Sequence, residues 1–195
     1  MTDQPQLVVA TPGDPFDPGT WSGSSAFLVR ALERANALAG AIDASSHAVD
    51  RLEQLASFSS NRTRWLQRYH SRSSFASGLA RSLRSGIARR RLPGSPEAVL
   101  HVGAWALLPG RVRASYHDGN LAVSLARGEP LLDPGSRSVR RALEADRRFY
   151  EAMDVLLPMS DWLRRSFVED YGQDPAKVVT VGAGANLQEL PAVPE

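Results

Sequence analysis

His117 and Asp118 stand side by side where the β-prone run Arg111–Tyr116 meets the turn His117-Asp118-Gly119-Asn120. Imidazole and carboxylate both bond sugar-type hydroxyls, and either can carry a proton near neutral pH. If the run is a strand of a parallel sheet, the pair sits at its carboxyl end, where ligand crevices of such sheets form. Asp118-Gly119 is equally a plain turn dipeptide. A second candidate lies earlier, in Pro18-Gly19-Thr20-Trp21-Ser22-Gly23-Ser24, between the run Leu7–Ala10 and a helix marked by Leu28, Leu32, Ala35 and Ala39. Glycine at a helix N-terminus lets backbone N–H groups approach a phosphate, and the helix dipole favours the anion. Capping and tight turning explain the same residues without a ligand. The spacing Gly19-x-x-x-Gly23 is not the dinucleotide fingerprint, and neither a G-x-x-x-x-G-K-[ST] loop nor an H-E-x-x-H metal motif occurs. His101, inside the apolar run Ala98–Val102, reads as a core or strand-end histidine.

These candidates need a scaffold, and its plainest unit lies near the C-terminal end. Asp154–Leu157 is a short apolar run of the length of a buried parallel strand. Ser160 is positioned as an N-cap, and Leu163, Phe167 and Tyr171 recur on one helical face. Gly172 and Pro175 stop that helix, and Lys177–Val181 is the next strand. The unit is therefore strand, helix, strand. Further strands are expected at Leu7–Ala10, Ala98–Val102 and Arg111–Tyr116, with a short one at Ala41–Asp43. Helices are expected from Ser46, with Val49, Leu52 and Leu55 on one face, and over Val139–Tyr150. The fold class is α/β: a Rossmann-like, mainly parallel sheet of about six strands flanked by helices, with Gly23 and His117 near the same edge.

The wording of SDWLRRSFVEDYG followed by DPAKVVTVGAGAN is more specific than its periodicity, and it resembles the end of the N-terminal domain of family 4 glycosyltransferases of the GT-B fold. The resemblance extends from Leu7 to Leu187 and is poor between Ser45 and Pro96. It implies a retaining, sugar-nucleotide-dependent hexosyltransferase of which residues 1–187 are the acceptor-side half. Residues 188–195 would then begin an interdomain linker or tail, and a second Rossmann domain would hold most of the nucleotide. It also implies that the loop with Gly19, Trp21, Ser22, Gly23 and Ser24 faces the interdomain cleft, near the donor diphosphate or acceptor. His117 and Asp118 would contact the reacting sugar, with Asn120, Ser160 and Gly184 as further candidates for substrate or phosphate. The substrates implied are a nucleotide sugar and a sugar or lipid-linked acceptor, with no metal or other cofactor.

Composition limits other classes. The 195 residues include 15 glycines and 13 prolines, an ordinary globular usage. There is no cysteine, which removes disulfides and thiolate metal sites. MTDQPQ shows neither a basic nor an apolar signal region, so a cytoplasmic protein, peripheral at the membrane if attached at all, is expected. A net charge of +2 gives no general case for nucleic acid. Yet nine arginines and no acidic residue fall between Asn61 and Pro96. There Phe75, Leu79, Leu83 and Ile87 recur every fourth residue, with Arg81, Arg84, Arg89, Arg90 and Arg91 largely off that stripe. The pattern reads either as a solvated face over a core stripe or as a patch for an anionic membrane or partner. The second reading supports an alternative function, a non-catalytic module docking through this helix.

Overall fold

The computed structural model describes residues 7–73, 78–129 and 132–182. Five strands form one sheet: β1 (Leu7–Thr11), β2 (Leu38–Asp43), β3 (Ala98–Val102), β4 (Val112–His117) and β5 (Val155–Pro158). Every pairing is parallel, in the order β2-β1-β3-β4-β5. Because β2 is added on one side of β1 and β3 on the other, the order in which strands are laid down reverses between β1 and β3. This is the topological switch point of a doubly wound sheet.

The helices follow from the apolar spacing and the caps. α1 (Ser24–Arg34) joins β1 to β2. α2 (His47–Ser57), α3 (Arg62–Ser73) and α4 (Gly78–Arg89) lie between β2 and β3. α5 (Leu121–Ala126), α6 (Arg137–Glu151) and α7 (Asp161–Glu169) complete the chain. Ser160 caps α7 as its position predicts, its hydroxyl accepting from the Leu163 N–H at 3.2 Å, and Ser136 caps α6 in the same way. Side chains alternate across the sheet. Val9, Leu100 and Val102 pack with α1 on one face, whereas Val8, Val99 and Leu156 meet α4, α6 and α7 on the other. Leu163, Phe167 and Tyr171 are all buried, so the predicted stripe of α7 faces the core.

Four expectations are corrected. The sheet has five strands, not six: Val178 makes an isolated parallel bridge to Leu156, and the N–H groups of Val179 and Val181 reach β5 carbonyls at 2.9 and 3.0 Å. Val179 and Val181 are about half exposed, at 49% and 51%, because nothing among the described residues covers that face. β2 begins at Leu38 rather than Ala41, since Asn36, at φ 53°, ends the α1 segment early. In α2 only Val49 of the predicted face is buried, while Leu52 and Leu55 are exposed.

The largest correction is α4. Leu79 and Leu83 are exposed, and the helix turns Ala80, Arg81, Arg84 and Ala88 inward. Arg81 Nη2 meets Asp146 Oδ1 at 2.5 Å, and Arg84 Nη2 meets Asp50 Oδ1 at 2.7 Å and Glu53 Oε2 at 2.5 Å. Partners on α6 and α2 neutralise both cations, which makes burial tolerable. Arg81 and Arg84 therefore cannot belong to a membrane or anion patch. Arg89, Arg90 and Arg91 remain exposed, though Arg91 Nη1 donates to the Asp43 carbonyl at 2.6 Å. Phe75 of the predicted stripe lies outside the described residues.

Candidate ligand crevice at the carboxyl edge

β1 and β3 end at Thr11 and Val102, and the loops that leave them meet at the switch point. Gly13, at φ 124°, donates its N–H to Asp43 Oδ1 at 3.0 Å, tying the first loop to the end of β2. A 3-10 turn, Thr20–Gly23, then carries Ser22 and leads into α1. Trp21 holds a left-handed φ of 52°, and its half-buried ring stands edge-on to Tyr116 of β4 at 6.4 Å between centroids. Gly103, immediately after β3, has φ 74°, and a Cβ there would lie 2.9 Å from Trp105 Nε1 and 3.9 Å from the Trp21 ring. Trp21, Gly103 and Tyr116 thus line one corner.

Gly23 is the N-cap of α1 at φ 84°, and no side chain caps that helix. Its backbone packs closely, for a Cβ would touch both the Phe27 ring and the Pro18 carbonyl at 3.4 Å. The Gly19 N–H is already bonded to Asp17 Oδ1 at 2.8 Å, which withdraws it from phosphate binding. Ser24 opens α1 beside Gly23.

The predicted pair at the end of β4 is split by strand alternation. His117 is 2% exposed, its Nε2 lies 2.9 Å from Ser115 Oγ, and its ring packs among Phe149, Tyr150 and Phe167. Burial, reinforced by the nearby His101 and Arg81, lowers its pKa to about 3. A direct sugar contact by His117 is therefore corrected: the ring faces the helical layer and is neutral at physiological pH. Asp118 is exposed. Burial raises the Tyr116 pKa, and the charge of Asp118 adds to that rise.

Asn120 is also assigned to structure rather than ligand. It is 2% exposed, its Oδ1 caps α5 by accepting from the Val123 N–H at 2.9 Å, and its Nδ2 donates to Ser166 Oγ at 3.1 Å. Ser166 in turn donates to Asp170 at 2.6 Å, so the amide links α5 to α7. Ser160 is half-buried at the end of β5, with its hydroxyl engaged in the α7 cap. Gly184 lies outside the described residues. Among the described residues no group of three or more His, Asp or Glu side chains is placed to hold a metal ion.

On the other face of the sheet from Trp21 lies a group of buried polar side chains. His101 Nδ1 donates to the Ala114 carbonyl at 3.0 Å while its Nε2 accepts the Leu108 N–H at 3.1 Å, an arrangement that requires the neutral ring. Burial takes its pKa down to about 4. Asp146 is pushed up to about 7 by burial, against the opposing pull of Arg81. These groups brace the sheet against α4 and α6 and do not open to the crevice. Gly103 and Tyr116 escaped sequence reasoning because neither belongs to a motif; only the pairing of β3 with β1 and β4 brings them beside Trp21. Compared with known families, curated proteins and solved structures, the chain finds no match.

Proposed function

We propose that this chain is the acceptor-side, N-terminal half of a retaining, GT-B-type glycosyltransferase that moves a hexose from a nucleotide sugar to a sugar or lipid-linked acceptor. The observation that carries the reading is the corner at the switch point, where Trp21, Gly103 and Tyr116 converge, with Asp118 exposed two residues after Tyr116. The resemblance of Ser160–Gly172 and Asp174–Asn186 to family 4 enzymes supplies the chemistry. In this reading a sugar lays its apolar side against the exposed part of these aromatic rings. Asp118 accepts a hydrogen bond from a sugar hydroxyl, and the dipole of α1, which starts beside Gly23, favours an anionic oxygen near that end. No metal or other cofactor is assigned. The donor nucleotide belongs to a second Rossmann domain, so this chain alone holds one wall of the cleft. No described helix is long and apolar enough to cross a membrane. We place the enzyme in the cytoplasm, peripheral where its acceptor is lipid-linked.

Near-attack positioning of both substrates accounts for about 7–11 kcal/mol of barrier lowering, so the chain alone should bind weakly and not turn over. Titrating it with UDP-glucose, GDP-mannose and simple glycosides should move the amide resonances of residues 20–24, 103 and 116–119 at millimolar ligand, without product. Silence at those positions with every probe would remove the sugar-transfer reading. Sub-micromolar binding with turnover would instead show a complete site and remove the two-domain one. When the chain is joined to its second domain, Asp118→Asn should lower kcat by about 10²-fold or more while leaving nucleotide affinity in place.

A further inference from the structure

The outward face of α2 and α4 is apolar where an exposed helical face is ordinarily polar. Leu55 and Leu79 are 73% and 71% exposed, Phe58 is 66%, Leu52 59% and Leu83 45%. Phe58 is held in place by Trp65 of α3, edge-on at 6.2 Å, and the indole N–H of Trp65 donates to the Gln54 carbonyl. Between α2 and α4 opens a groove of about 690 Å³ that includes Leu52, Leu79 and Leu83 and ends at Arg137 and Arg141 in the first turns of α6. The carboxylate in that lining, Glu53, is already bonded to Arg84.

Arg137 and Arg141 also line a second cleft, of about 960 Å³, between α4 and α6, together with Arg140 and Arg148. Glu144 pairs with Arg148 at 3.3 Å, whereas Arg137 and Arg141 have no ion pair among the described residues. Exposed Arg62, Arg64, Arg89 and Arg90 extend the positive field over α3 and the end of α4, and no acidic residue lies between Asn61 and Pro96.

We propose that this face docks on an anionic lipid bilayer, with Leu52, Phe58, Leu79 and Leu83 entering the headgroup–acyl boundary while Arg137 and Arg141 receive lipid phosphates. Two features favour a bilayer over other occupants. A second copy of the same face would set arginines against arginines. An acidic helix seated in the groove would leave Leu55 and Phe58 uncovered, because both stand outside its lining. A planar surface meets groove and protruding side chains together, and leucine and aromatic residues ringed by arginine are the composition of interfacial helices. The inference rests on this surface alone and is independent of the sugar-transfer reading.

The test is flotation of the chain with phosphatidylcholine vesicles, with and without phosphatidylglycerol. Wild type should float with the anionic vesicles, less so at high salt, and hardly at all with pure phosphatidylcholine. Leu79→Glu with Leu83→Glu, and separately Arg137→Gln with Arg141→Gln, should each weaken binding about tenfold or more at an unchanged melting temperature. Leu55→Glu, outside the groove, gives a third variant should either pair fold poorly. Failure of wild type to float, equal flotation by the variants, equal flotation on neutral vesicles, or a dimer that the leucine variants dissolve would each overturn the proposal.

Discussion

His117 shows how a single side chain can carry the right chemistry and lack access to use it. Packed among Phe149, Tyr150 and Phe167, it holds a pKa near 3 against an ordinary 6.5. The unfolded chain therefore takes up a proton on this residue below about pH 6.5 that the folded chain refuses, and stability is lost as pH falls through that window. One proton corresponds to about 1.4 kcal/mol per pH unit. His117→Gln should flatten the slope of unfolding free energy against pH between 6.5 and 4 by about that amount, as read from urea melts across the range. An unchanged slope would mean that the ring is charged or solvated in the folded state. His101, bonded at both nitrogens, imposes the same sign, whereas Asp146, raised to about 7, acts oppositely by binding its proton more tightly in the folded protein.

Among the elements, α4 is held by charges that come from elsewhere in the chain. Arg81 donates to the carbonyls of Ala104 and Ala145 as well as to Asp146, so one guanidinium fastens α4 to α6 and to the connection after β3. Arg81→Met leaves the Asp146 carboxylate buried without its cation and should cost about 3–5 kcal/mol. Arg81→Met combined with Asp146→Leu should recover part of that loss, because the unpaired buried acid is gone while the Ala104 and Ala145 carbonyls still lack their donor. A double-mutant cycle by urea denaturation measures the coupling. The β3–β4 connection is itself unusual in crossing back without a helix. It lies over the sheet through buried Ala106 and Leu108, and Gly103 starts it at φ 74°. Gly103→Ala should cost about 1–3 kcal/mol from the left-handed backbone alone. It should also disturb Trp105, visible as a change in tryptophan fluorescence, because the added Cβ would crowd its Nε1 at 2.9 Å.

At the scale of the molecule, β1, β3 and β4 each have a strand on both sides, whereas Val178–Val181 runs along β5 with a single bridge and half-exposed valines. Amides of Val9, Leu100 and Ala114 should exchange only on global unfolding, and those of Val179 and Val181 orders of magnitude faster. Equal protection would mean that a sixth strand is formed after all. This gradient suits the proposed role: a rigid centre holds the crevice at the switch point, and the looser edge leads toward the residues through which a second domain would be joined.

The sequence alone determined the periods and their punctuation: the apolar runs that became β1, β3, β4 and β5, the serine cap of α7, and the parallel α/β class. Caps and apolar runs act within a few residues, so they can be read locally. Tertiary structure decided which face of each element turns inward. In α4 the apolar stripe and the arginine stripe were both visible, but Asp146 lies 65 residues from Arg81 and Asp50 34 from Arg84. Only with those carboxylates in place could the arginines be buried and the leucines left outside. The same holds at the end of β4, where Tyr116 and His117 turn to opposite faces. Which of them meets the crevice depends on α6 and α7 covering one side of the sheet, a long-range packing choice that no local pattern encodes.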